Sequence, residues 1–129
     1  MIVGTGIDVV EIARIERALE RRGERFERRV FAAGEIATCR ARGRAGPQFA
    51  VRFAAKEAAL KAIGTGWAQG ARWVDVETVA GGGPGRLALE LRGRAAELAA
   101  RLGAVTPHLA VGRSRTHALA VVLLERRGA

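Results

Sequence analysis

The chain has 129 residues, of which 49% are apolar and 27% charged; that suits a single domain spanning 1–129 and excludes a disordered tail. No run approaches the roughly 20 apolar residues of a membrane span, and the start lacks the basic and long apolar regions of a signal peptide, so a cytoplasmic protein with no membrane partner is expected. The formal charge of +9, from 22 Lys and Arg against 13 Asp and Glu, fits an acidic partner, whether nucleic acid, anionic membrane, phosphorylated cofactor or acidic protein. An arginine- and alanine-rich proteome accounts for such a charge as well, so charge alone decides little.

In chain order, residues 2–7 form a short apolar segment with Gly4 and Gly6, the pattern of a buried strand that something approaches closely, and Asp8 ends it. From Glu11, the apolar residues Ile12, Ile15 and Leu19 recur at helical spacing, so an amphipathic helix is expected to stop near Gly23. A shorter helical pattern follows around Phe26, Val30 and Phe31. The lone Cys39 excludes an internal disulfide and reads as a small semi-buried side chain. Residues 41–47, rich in glycine and arginine, read as a loop.

Residues 48–63 are strong helix formers, with Phe49, Phe53, Leu60 and Ile63 as the core-facing stripe and Gly64 just past the end. Residues 72–79 and 86–91 alternate as strands, and the turn Gly81-Gly82-Gly83-Pro84-Gly85 makes them a hairpin. An alanine-rich helix over 93–102 closes at Gly103, and residues 108–112 and 117–125 read as two last strands. The expected fold class is α+β, an antiparallel sheet packed with helices on one side.

Two stretches could carry chemistry. Asp8 directly follows a buried strand, where a carboxylate can hold a metal ion with little side-chain movement; the bland reading is a capping box with Glu11. In 52–62, Glu57 and Lys61 lie one turn apart, as do Arg52 and Lys56, and the bland reading is an exposed Glu-to-Lys pair. Together the two stretches say more. If the first strand delivers Asp8 beside the middle of the helix, Asp8 and Glu57 become two carboxylates for one Mg²⁺, and Lys61 faces the same phosphates. A substrate bearing a pyrophosphate fits such a site.

The opening 1–11 and the stretch Arg52-Phe53-Ala54-Ala55-Lys56-Glu57-Ala58 resemble the holo-acyl-carrier-protein synthases, the small stand-alone type of 4′-phosphopantetheinyl transferase. Lys61-Ala62-Ile63-Gly64-Thr65-Gly66 and the hairpin from Trp73 through Pro84 continue the likeness over nearly the full chain.

The resemblance implies that Asp8 and Glu57 bind Mg²⁺ and that these two and Lys61 are catalytic. It further implies transfer of the phosphopantetheine arm of coenzyme A onto a serine of an acyl carrier protein, in fatty acid biosynthesis by analogy. Arg52, Lys56, Lys61, Gly64, Gly66 and Arg113 are the expected contacts to coenzyme A. Arg14, Arg21, Arg25 and Arg28 fall where the family meets its acidic carrier. The family assembles as a homotrimer with sites between subunits, so Asp8 and Glu57 of one chain would meet Arg113 of the next.

Near the carboxyl end the family's usual second histidine is replaced by Arg113, which cannot act as a base near neutral pH but can hold a phosphate through two parallel hydrogen bonds. His108 and His117 are therefore expected to pack or hydrogen-bond in the sheet. Two rival readings remain: a small basic RNA-binding module, which lacks the aromatic pairs on which bases stack, and the same transferase serving carrier domains of polyketide or peptide synthases.

Overall fold

A computed structural model describes residues 1–64, 69–103 and 105–128. Strand β1 (Ile2–Glu11) leads into helix α1 (Ile12–Arg22), which ends at Gly23 with a φ of 53° that only glycine adopts easily. Helices α2 (Glu24–Val30), α3 (Ala33–Arg40) and α4 (Ala45–Ile63) follow. A 3₁₀ turn (Trp73–Asp75) precedes the hairpin β2 (Val76–Ala80) and β3 (Leu87–Leu91). Helix α5 (Gly93–Ala100) and strands β4 (Val105–Arg113) and β5 (His117–Arg126) complete the chain.

The strands form two antiparallel sheets instead of one: a three-stranded sheet in the order β1-β5-β4, and the β2-β3 hairpin. Asp8 pairs with Ala120 and Arg113 with Ala118, which places β5 between the two strands that carry them. One face of the three-stranded sheet packs on α4. Its small residues set the spacing: Ala118 and Ala120 are fully buried, and Gly4 and Gly6 lie directly under the helix. A Cβ on Gly6 would come within 1.9 Å of the Ala58 carbonyl oxygen, and one on Gly4 within 2.2 Å of that of Ala62.

Helix α4 is the centre of the molecule, with 14 of its 19 residues buried. The single stripe expected from Phe49, Phe53, Leu60 and Ile63 is too narrow; a helix covered on several sides shows no dominant polar face. Its start differs too. Residues 45–47 belong to the helix, because Pro47 falls in the first turn, where its missing N–H would have no helical partner. The expected strand over 72–79 starts only at Val76, because the Asp75 side chain accepts from the Arg72 N–H at 3.1 Å and closes the 3₁₀ turn. Cys39 is buried, and burial above all pushes its thiol up to about 11. No helix among the described residues is long and apolar enough to cross a membrane.

Candidate active site

The close approach of α4 to β1 brings distant residues together. Gly4, Gly6 and Asp8 alternate onto the face of β1 under the helix. The glycines let the helix down, and Asp8 meets its last turns: Lys61 Nζ donates to Asp8 Oδ1 at 2.9 Å and to the Ile7 carbonyl at 3.2 Å. The Asp8 side chain is only 15% exposed, whereas that of Lys61 is 55% exposed.

Asp8 caps no helix. Strand β1 runs on to Glu11, and it is Glu11 that stands at the α1 N-cap, without a side-chain hydrogen bond. Nor do Glu57 and Lys61 pair along α4. Lys61 turns to β1, and Glu57 Oε1 accepts from the Trp73 indole at 3.3 Å. Burial raises the Glu57 carboxyl above the ordinary range and the nearby Asp8 charge adds to this, while the Trp73 N–H, Lys61 and Arg14 pull it down. Asp8, Lys61 and Arg14 thus all act electrostatically on Glu57.

Lys56 corrects an expectation. It is fully buried, and its ammonium donates to Glu35 Oε1 at 2.6 Å, to the Trp73 carbonyl at 3.2 Å and to the Val76 carbonyl. Its three N–H groups are all engaged, so Lys56 offers nothing to a phosphate. It ties α4 to α3 and the hairpin instead. Glu35 completes this network by accepting from the Ala32 N–H at 2.9 Å, and from the backbone N–H and hydroxyl of Thr78. Burial pulls the Lys56 ammonium below its ordinary value, against the opposing pull of Glu35.

Arg52 is also buried, at 4% exposure, and donates to the Gln48 carbonyl and side chain at 3.1 and 3.2 Å. It lines a cleft of about 530 Å³ between α3, α4, the hairpin and the end of β4, together with Arg42, Arg86, Arg113 and the turn residues Gly83 and Pro84. Among the described residues, no carboxylate pairs with Arg42, Arg86 or Arg113. Asp8, Glu57 and Lys61 do not line this cleft.

Gly64 is the left-handed cap of α4, φ 97°, with its N–H on the Leu60 carbonyl at 3.1 Å; Gly66 lies outside the described residues. Arg14, Arg21, Arg25 and Arg28 are all exposed on α1 and α2, although Arg28 already pairs with Glu24 at 3.0 Å. His108 bonds Glu125 and His117 bonds Thr116, each at 2.9 Å. Sequence reasoning missed Trp73, Glu35, Arg42 and Arg86. Trp73 had one signal: it is one of two tryptophans in a chain with no tyrosine, and a partly buried indole N–H needs an acceptor.

The family model described as the 4′-phosphopantetheinyl transferase superfamily matches residues 4–122. The holo-[acyl-carrier-protein] synthase of Alkalilimnicola ehrlichii is 51% identical over 126 residues, covering 97% of this chain and 98% of the relative. That of Koribacter versatilis is 46% identical over 125 residues, covering 97% and 99%. The crystal structure of a holo-(acyl-carrier-protein) synthase from Bacillus anthracis in complex with CoA (3′,5′-ADP) aligns with a TM-score of 0.79 at 32% identity, over 98% of this chain and 99% of that one. The chain belongs to the 4′-phosphopantetheinyl transferase superfamily, in the group of the holo-[acyl-carrier-protein] synthases.

Proposed function

We propose that the chain transfers 4′-phosphopantetheine from coenzyme A to a serine hydroxyl of an apo acyl carrier protein. The serine oxygen bonds to the phosphorus that carries pantetheine, the bond from that phosphorus to the bridging oxygen breaks, and adenosine 3′,5′-bisphosphate leaves with the electron pair. The observation that carries this reading is the meeting of Asp8, Glu57 and Lys61 where α4 crosses β1.

Asp8 and Glu57 suit Mg²⁺. No group of three or more Asp, Glu, His or Cys among the described residues makes a metal cage, and Mg²⁺ takes few protein ligands along with phosphate oxygens and water. When bound, the ion neutralises charge developing on the pyrophosphate. Lys61 uses two of its three N–H groups on Asp8 and Ile7, and the third, on a half-exposed side chain, is available to a phosphate oxygen. Asp8 and Glu57 are the candidates to take the serine proton, directly or through a water.

The arginine-lined cleft suits the nucleotide end of coenzyme A, with Arg52 and Arg113 in its wall. Because this cleft and the carboxylates are separate in one chain, the reading includes a homotrimer that joins them across subunits. The outer face of the three-stranded sheet supports it: Ile7 and Val9 are 58% and 57% exposed, Leu119 and Leu123 38% and 37%. Arg14, Arg21 and Arg25 would meet the acidic carrier, which the analogy places in fatty acid synthesis.

The test is mass spectrometry of an apo acyl carrier protein incubated with this protein, coenzyme A and Mg²⁺. The carrier should gain the mass of one phosphopantetheine. No gain with apo carriers from fatty acid, polyketide or peptide synthesis would refute the reading.

A further inference from the structure

We propose that Trp73 is a positioning residue for Glu57: its indole N–H pins one carboxylate oxygen, so that the other is held ready for the divalent ion. The proposal rests on the reading of Glu57 given above.

Phe53, Glu57 and Lys61 follow one another at four-residue spacing along one face of α4. The Trp73 side chain lies along this face. Its ring meets that of Phe53 with centroids 5.9 Å apart, and its Nε1 donates to Glu57 Oε1 at 3.3 Å. Oε2 accepts no hydrogen bond from the described residues. Glutamate has three side-chain torsions, and a carboxylate free to rotate about them would lose entropy on binding an ion; the indole reduces that loss beforehand.

The tryptophan is itself held. Lys56, the neighbour of Glu57, donates to the Trp73 carbonyl at 3.2 Å, and Asp75 accepts from the Arg72 N–H at 3.1 Å and from the Arg72 guanidinium at 3.2 Å. The Arg92 N–H reaches the Asp75 carbonyl at 2.7 Å. The 3₁₀ turn is therefore braced from both sides, and the buried Lys56 and Glu35 pair acts on the site through it. A phenylalanine at position 73 keeps an aromatic ring beside Phe53 but loses the donor together with part of the bicycle, so a shape-preserving analogue is needed to isolate the N–H.

The experiment compares wild type, Trp73→Phe and a variant with benzothienylalanine at 73, which keeps the bicyclic shape without an N–H. Mn²⁺ affinity in the presence of coenzyme A is read by electron paramagnetic resonance, alongside the thermal midpoint and the KM for carrier. Both variants should bind Mn²⁺ roughly tenfold more weakly, with carrier KM unchanged; if Trp73→Phe is too unstable to measure, the shape-preserving variant decides. Mn²⁺ affinity within twofold of wild type would overturn the role of Trp73 and leave that of Glu57 standing. Glu57→Ala, measured in parallel, separates the two failures: wild-type Mn²⁺ affinity there would remove the ion-binding role of Glu57, and that of Trp73 with it.

Discussion

Lys61 Nζ and Asp8 Oδ1 lie 2.9 Å apart across 53 residues of chain, an ion pair at the point where the central helix crosses the first strand. The lysine side chain is more than half exposed, so the pair adds at most about 1 kcal/mol to stability. Its value is placement, since it aims the lysine at the space beside Asp8 and Glu57.

Lys61→Met should therefore separate activity from stability. The rate of carrier modification is expected to fall about 10²-fold or more, while the thermal midpoint moves by only a few degrees. Steady-state kinetics and calorimetry on one preparation check both.

Lys56 is expected to show the opposite pattern. Lys56→Met leaves the Glu35 carboxylate buried without its partner and should cost about 3–5 kcal/mol in urea unfolding. Adding Glu35→Gln removes the orphaned charge, so the double variant should be more stable than Lys56→Met alone.

Gly6 sets the distance between helix and strand. Gly6→Ala drives a methyl group into the Ala58 carbonyl and should destabilise the protein by at least about 3 kcal/mol, lowering activity through the displaced Asp8. Gly82→Ala meets nothing within 4 Å and should stay within about 0.5 kcal/mol of wild type.

Glu57 predicts a pH dependence whose sign is fixed. Its folded-state pKa is raised above 4.5, so its contribution to stability is present below pH 4.5 and lost as pH rises through the folded value. Glu57→Gln, which cannot ionise, should melt at a higher temperature than wild type at neutral pH, and the difference should shrink below pH 4.5. Melting curves across that range test it; a variant less stable at neutral pH would contradict the shift.

Much of the site could be read from the sequence because its parts lie in two short stretches: the glycines before Asp8 announce a close approach, and Glu57 and Lys61 share a helix face. What could not be read depended on tertiary partners. Lys56 looks as available as Lys61 until Glu35, Trp73 and Val76 enclose it, and nothing local to Glu57 reveals the indole 16 residues away. The reading of 41–47 as loop followed its glycine content and overlooked that Pro47 fits a first helical turn. Gly66 lies outside the described residues.

The most direct test of the central claim is the rate of carrier modification by Asp8→Ala and Glu57→Ala at saturating coenzyme A and Mg²⁺. Both variants should remain folded and lose about 10³-fold or more in rate. A wild-type rate in either would mean that the two carboxylates do not share an ion in the reaction.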